Sequence, residues 1–251
     1  MPNQEKDHVF LGTPLGATGT LSGGTHWAIL NATRSKRQVF PQHNAMSLLP
    51  FAFNDLWCKA LNARAEHGIN RFVMIHSDIQ PLSASWLDEL LDELDRSEAD
   101  VLSVVVAIKD PNGLSSTAVD THPFRPKRLT FHEIARLPTT FDWIDTEILY
   151  DTKKNGRCGL LINTGLMAVR FDRPWVESVC FDFTNKIEKR REGYIPEVEP
   201  EDWKFSRWCA TRGLLVKATT KIVVVHLGSI PFRNDRVWGK MKVDEINAEH
   251  Y

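Results

Sequence analysis

Four places in the chain set ionisable or hydrogen-bonding side chains where an apolar segment stops: His76 with Asp78, Asn163 with Thr164, Glu201 with Asp202, and His226. In an α/β protein ligands collect at the carboxyl ends of strands, so these are the places to look for chemistry. The clearest is Arg71–Ile79, where an apolar strand runs straight into His76 and Asp78 and is followed by Pro81 and a helix start. Two residues apart on a strand, an imidazole and a carboxylate project to the same side and could meet one divalent ion. His226 closes the uncharged run Ile222–Val225 in the same way. A histidine there is either a third ligand or a hydrogen-bonded structural residue. Glu201 and Asp202 sit in Pro200-Glu-Asp-Trp203, which reads as a helix opening. There the helix dipole favours the ionised carboxylate and weakens it as a base, while burial beside Trp203 would restore its basicity. Complementing the helix start is the other use of such a pair.

The elements that must position these groups follow from periodicity. His8–Leu11 reads as a first strand ending at Gly12-Thr13-Pro14, and the loop from Gly16 to Gly24 is rich in small residues that would let a phosphate or nucleotide approach. It matches neither G-x-G-x-x-G nor G-x-x-x-x-G-K-[ST], and a flexible connection accounts for it equally. Helical spacing over 51–65, with Gly68 as a stop, predicts a helix before the His76 strand. Asn54 on that helix is within reach of a nucleotide or simply caps and solvates. Ser85-Trp-Leu-Asp88 fits a capping box, and Trp86, Leu87, Leu90, Leu91 and Leu94 form an apolar helical stripe. Val101–Ile108 is apolar but for Ser103, as a strand covered on both faces is. From Lys109 to Asp151 periodicity fades, which suggests an excursion over the sheet edge where acceptor-binding segments sit. Strand character returns over 159–169, interrupted by Asn163-Thr164-Gly165; a helix with Phe205, Trp208 and Cys209 inward ends before Gly213; and Leu214–Gly228 carries two more strands. Arg233 and Arg236 follow, either as a diphosphate clamp or as surface arginines.

The totals bound the class. At 251 residues the chain suits one large domain, divisible into an N-terminal half over 8–110, a second half over 111–238 and a polar tail over 239–251. Hydrophobic residues at 42% and charged residues at 25% exclude a disordered chain, and eight Trp with thirteen Phe promise extensive aromatic packing. A net charge of -1 gives no global attraction for polyanions, although Arg125-Pro-Lys-Arg128 and Lys186–Arg191 are local basic clusters. Cys58, Cys158, Cys180 and Cys209 are scattered with no Cys-x-x-Cys pair, which argues against a zinc cluster or disulfide framework and for a reducing cytoplasm. Met1–Phe10 lacks the apolar stretch of a signal peptide, and no run approaches the roughly 20 apolar residues of a membrane helix.

In order and spacing these segments resemble a GT-A glycosyltransferase of the family 2 kind. His76-Ser77-Asp78 stands at the Asp-x-Asp-like motif, Phe10-Leu-Gly-Thr-Pro14 at the first strand and nucleotide loop, Asn163-Thr-Gly-Leu-Met167 at the substrate-side strand, Glu201-Asp202 at the acidic pair and Val225-His-Leu-Gly228 at the late histidine. The resemblance spans most of 9–232. It implies a Rossmann-like mixed, mostly parallel sheet flanked by helices. It further implies a nucleoside diphosphate sugar donor, a uridine diphosphate sugar first, bound around Thr13, Pro14, Asn54, Ser77, Asp78 and Arg233. Mn or Mg would be held by Asp78, His226 and His76, and the acceptor side would be formed by Asn163, Thr164, Gly165 and Trp203. His76 replaces the first Asp of the usual motif, which leaves Asp78 the firmer ligand. The implied reaction is transfer of the sugar to an acceptor hydroxyl, with the metal neutralising the departing diphosphate, Asp202 as general base in an inverting version and Glu201 orienting the acceptor. A saccharide is the default acceptor, and a hydroxymethylated DNA base is conceivable given the basic clusters and aromatics.

Two other classes fit part of the pattern. A sugar nucleotidyltransferase would share the architecture but needs a basic residue in its Gly-rich first loop, and 12–24 has neither Lys nor Arg. A non-catalytic nucleotide-sugar or glycan binding module would keep the fold and tolerate loss of Asp202. Inversion and retention, and the oligomeric state, are not readable from the residues.

Overall fold

The structure, a computed structural model, describes residues 7–149, 159–191 and 193–239; Cys158 and the expected tail from 240 onward lie outside them. The chain runs through β1 (His8–Pro14), α1 (Gly23–Ala32), β2 (Gln38–Asn44), α2 (Leu49–His67) and β3 (Arg71–Ile75). After a turn come β4 (Ile79–Pro81), α3 (Trp86–Arg96) and β5 (Val101–Val104). Then follow β6 (Leu114–Val119), β7 (Lys127–Thr130), α4 (Phe131–Ile134), β8 (Thr140–Phe141), β9 (Leu160–Leu161) and β10 (Leu166–Arg170). The last part holds β11 (Thr184–Arg190), β12 (Gly193–Glu199), α5 (Glu201–Thr211), β13 (Val216–Thr219), β14 (Val224–Leu227) and β15 (Pro231–Arg233).

Seven strands form the central sheet in the order β2-β1-β3-β10-β5-β13-β8. β1, β2, β3, β5 and β13 run one way, and β10 and β8 run against them. This is the mixed, mostly parallel sheet flanked by helices that the residue pattern predicts. β10 belongs to the second half of the sequence yet lies between β3 and β5, so strands from both halves share one sheet.

Alternation along β3 explains the two-sided burial. Phe72 and Met74 face a core cluster containing Phe53, Leu56 and Trp57 of α2, whereas Val73 and Ile75 face Trp86, Leu87, Leu90, Leu91 and Leu94 of α3. Each large side chain sealed in this way contributes about 2 kcal/mol of transfer free energy. Two indole N–H groups are satisfied inside the core, Trp57 donating to the Val176 carbonyl and Trp86 to the Ala28 carbonyl, both at 2.9 Å. α2 ends at Gly68, whose φ of 64° is the left-handed cap conformation that glycine adopts without strain.

Several local expectations are corrected. Ser85 forms no cap; its hydroxyl and that of Ser83 instead donate to the Glu89 carboxylate, while a capping box does form between Thr130 and Glu133 at α4. The strand expected over 101–108 is regular only to Val104, beyond which Ala107 makes a single bridge to Ser115. The segment after Lys109 is not an open excursion: β6 pairs with β7 and β9 in a small sheet, and β8 joins the edge of the main one. No helix among the described residues is long and apolar enough to cross a membrane.

Asn234 locks the strand ends that carry the candidate site. Buried, it donates from Nδ2 to the carbonyls of Val105 (2.9 Å) and Ile222 (3.0 Å) and accepts at Oδ1 from the Val224 N–H (2.9 Å). Asn234→Ala strands three buried backbone groups and is expected to cost on the order of 3 kcal/mol, read by chemical denaturation. Arg233→Ala, one residue away, should leave the unfolding midpoint unchanged, since among the described residues that arginine forms its ion pair with its neighbour Asp235.

Candidate functional site

β3 ends at Ile75, and the turn His76–Asp78 leaves the main sheet to enter β4, which pairs antiparallel with β14 so that Ile79 stands opposite His226. The turn's backbone is fixed from three sides. The His76 N–H donates to the Gly165 carbonyl (2.8 Å), and the Ser77 carbonyl accepts from the Ser22 N–H (3.1 Å) and the Thr25 hydroxyl (3.0 Å) at the start of α1. The Asp78 carbonyl accepts from the Leu227 N–H (2.8 Å). Ser77 thus takes part through its backbone, as the joint between the turn and α1.

Asp78 and His226 come together as the sequence suggests. His226 Nδ1 lies 2.7 Å from the Ala107 carbonyl, which can only accept, so that nitrogen carries the proton and Nε2 faces Asp78 Oδ2 at 3.3 Å. The same Oδ2 accepts from the Lys109 ammonium. Burial pushes the Asp78 carboxyl up, but hydrogen bonding and charge from His226 and Lys109 outweigh it and hold the group well below the usual carboxylate range. Lys109 is the functional candidate that sequence reading missed. It closes the apolar run Val101–Ile108, which is the same strand-end signal that singled out His76 and His226.

The expected three-ligand metal site is not assembled. His76 turns its Nε2 to the Thr164 hydroxyl at 3.3 Å and lays its ring against Phe53, with centroids 5.3 Å apart. Burial drives its pKa down to about 4; Asp78 opposes this and His226 and Lys109 reinforce it. Among the described residues no three His, Cys, Asp or Glu side chains converge as ligands. The donor set that remains, Asp78 with His226, does not fit a resident divalent ion, because the ammonium of Lys109 already fills the position facing Oδ2.

Asn163, Thr164 and Gly165 lie beside the turn. The Asn163 side chain donates to the Val104 carbonyl (3.0 Å) and accepts from the Gly165 N–H (2.9 Å), so it braces its loop and does not present itself to a ligand. Gly165 is closely packed: a Cβ there would sit 3.0 Å from Asn163 Oδ1. The acidic pair is tied to the same loop. Ser206, one turn after Asp202, donates to the Asp202 carbonyl (2.7 Å) and accepts from the Ile162 N–H (3.0 Å), two residues before Thr164 meets His76. Ile162 and Thr164 are at most about 7 Å apart along the backbone, which ties the opening of α5 to the His76 turn.

Asp202 is half-buried, and Oδ1 accepts from the Trp203 N–H at 2.8 Å. Burial and the neighbouring Glu201 push its carboxyl up to about 7, against the pull of that N–H and of Arg128. Burial also raises Glu201. Trp203, expected on the acceptor side, is buried. It packs with Ala118 and Leu161, and the Arg128 guanidinium covers its ring at 4.7 Å.

Thr13 and Pro14 end β1, where Thr13, Leu15, Leu21, Ile29 and Pro41 line a cleft of about 140 Å³. Two expected nucleotide contacts are placed elsewhere. Asn54 spends both ends of its amide on the Phe181 backbone, at 2.7 and 2.8 Å. Arg233 stands opposite Val225 on the β14–β15 ribbon, hence on the other face from His226, and pairs with Asp235.

The half-buried His76 gives a pH signature. Its folded pKa of about 4 lies below the unfolded value of 6.5, so the stability it contributes is complete above pH 6.5 and is lost as pH falls toward 4. The difference in melting temperature, wild type minus His76→Asn, is therefore expected to fall between pH 7 and pH 5. A difference that holds constant would show that the ring titrates normally.

No family model and no curated protein sequence matches the chain. Among solved structures it is similar to A197 from STIV, at 9% identity and a TM-score of 0.49 over 94% of this chain and 98% of that one. It is also similar to CMP:2-keto-3-deoxy-manno-octonic acid synthetase, solved with CTP, at 10% identity and a TM-score of 0.41 over 85% of this chain and 89% of that one. At these scores neither likeness bears on the chemistry of this chain, which has to be argued from its own residues.

Proposed function

We propose that the protein is a glycosyltransferase that moves a sugar from a nucleoside diphosphate donor, a uridine diphosphate sugar first among candidates, to an acceptor hydroxyl with inversion. The observation that supports this most is Asp202: a half-buried carboxylate whose pKa near 7 suits a general base at neutral pH, on a helix start tied to the loop beside the Asp78 cluster. In this reading the acceptor O–H gives its proton to the Asp202 carboxylate as its oxygen bonds to the anomeric carbon. The bond from that carbon to the diphosphate breaks, and the electron pair leaves on the diphosphate oxygen. Glu201 orients the acceptor, and the nucleoside takes the cleft beside Thr13 and Pro14.

The acceptor in this reading is a saccharide hydroxyl. A DNA acceptor would lean on the basic clusters, but Arg125 pairs with Glu197 and Glu188, Lys186 and Arg190 pair with Glu197, and Arg128 covers Trp203.

Incubation with a panel of nucleoside diphosphate sugars and saccharide acceptors, followed by nucleoside diphosphate release, tests the reading. Turnover should rise with pH through about 7 as Asp202 ionises, and Asp202→Asn should lower it on the order of 10²–10⁴-fold while leaving donor binding in place. Release of pyrophosphate from a nucleoside triphosphate and a sugar would replace the reading with nucleotidyl transfer. Unchanged turnover in Asp202→Asn would remove the base assignment.

Stability supplies an independent check. Because the folded pKa of Asp202 lies above its unfolded value near 3.8, its stabilising contribution is present at low pH and is lost as pH rises through about 7. Asp202→Asn, which carries no charge, should therefore gain in melting temperature relative to wild type between pH 5 and pH 8.

A further inference from the structure

Resting on that reading, the geometry points to Lys109 as a built-in counter-charge for the donor diphosphate, standing where a divalent ion would otherwise sit. Three observations on different elements carry it. First, the ammonium is seated on Asp78 Oδ2, the oxygen that His226 Nε2 also faces, so the one carboxylate of the cluster holds a covalently attached cation. Second, the lysine stem has a track made for it. A Cβ on Gly228 would lie 3.2 Å from Lys109 Cδ and 3.1 Å from Phe232 Cε2, closer than ordinary van der Waals contact, so the bare backbone just past β14 leaves the arm its room beside Asp78. Third, the arm is not sealed in: 38% of the side chain is exposed, and an ammonium has three donors, of which Asp78 uses one.

The surroundings suit an anion. α1 opens beside the same turn, with no acidic residue in its first turn, and points its N-terminal dipole to that side. Asp78 works here as the anchor that holds Lys109 extended, and His226, bound through Nδ1 to the Ala107 carbonyl, lies 3.3 Å from the same oxygen. A diphosphate laid across the exposed face of Lys109 takes the two remaining N–H donors, and the oxygen that receives the bonding pair when the sugar departs faces a fixed positive charge. A second cation beside Asp78 would be repelled by the first.

Inorganic pyrophosphate and Mn²⁺, each used alone, test this without any need for turnover. Titration calorimetry at pH 7.5 in the presence of a chelator is expected to show pyrophosphate binding to the wild type. That affinity should fall at least about tenfold in Lys109→Met and in Gly228→Val, which displaces the arm, and survive in Lys109→Arg. Mn²⁺ followed by its electron paramagnetic resonance signal should stay free with wild type. It should be taken up in one equivalent by Lys109→Met, where Asp78 and His226 are released to ligate it. Stoichiometric Mn²⁺ uptake by the wild type, or pyrophosphate binding only when Mn²⁺ is added, overturns the inference. Metal-free, Lys109-dependent pyrophosphate binding by a protein that turns over no nucleotide sugar would uphold it and sink the glycosyltransferase reading; turnover that stops on chelation would do the reverse.

Discussion

The site depends on one short constraint: the backbone of His76–Asp78 leaves a fully buried strand and must find partners away from the sheet. Buried amides and carbonyls are costly when unpaired, so the turn is tied in succession to Gly165, to the start of α1 and to Leu227. Those three ties bring together segments that are distant in sequence, from Ser22 to Leu227. They also fix which side chains face one another, because the pairing that puts Ile79 opposite His226 is what sets the imidazole against Asp78.

Two carboxylates then sit in opposed environments. Asp78 is depressed by the cations beside it, whereas Asp202 is raised by burial and by Glu201. Environments that push like groups apart let one protein keep a permanent anion and a protonatable carboxyl at the same pH. The charge around Asp78 is balanced within the chain by Lys109.

Much of this was legible in the sequence, and the parts that were not share a physical cause. Strands buried on both faces announce themselves as apolar runs, so β3, β5 and β14 and the polar groups at their ends could be found from composition alone. α3 was legible from its stripe of Leu and Trp, and α5 from Pro200 and the acidic pair. The first helix and β2 were not: α1 begins with a glycine pair and shows little amphipathic contrast, and β2 is an edge strand with exposed polar residues and a proline. Lys109 escaped because a lysine after a strand reads as ordinary surface until the bare Gly228 opposite is seen. Asn54 and Asn163 were read as ligand contacts, yet both amides are consumed by nearby backbone, a choice that depends on contacts no local pattern encodes.

The place of β10 in the sheet governs the order in which the molecule can be made. During synthesis β3 and β5 emerge early, each an apolar ribbon with an unpaired edge, and the antiparallel strand that joins them arrives only with Leu166–Arg170. Until then the nascent chain exposes two hydrophobic edges able to pair with each other in the wrong register or with a neighbouring chain. A fragment stopped before that strand is a half-sheet prone to aggregate, and its His76–Asp78 turn lacks the Gly165 carbonyl that fixes it.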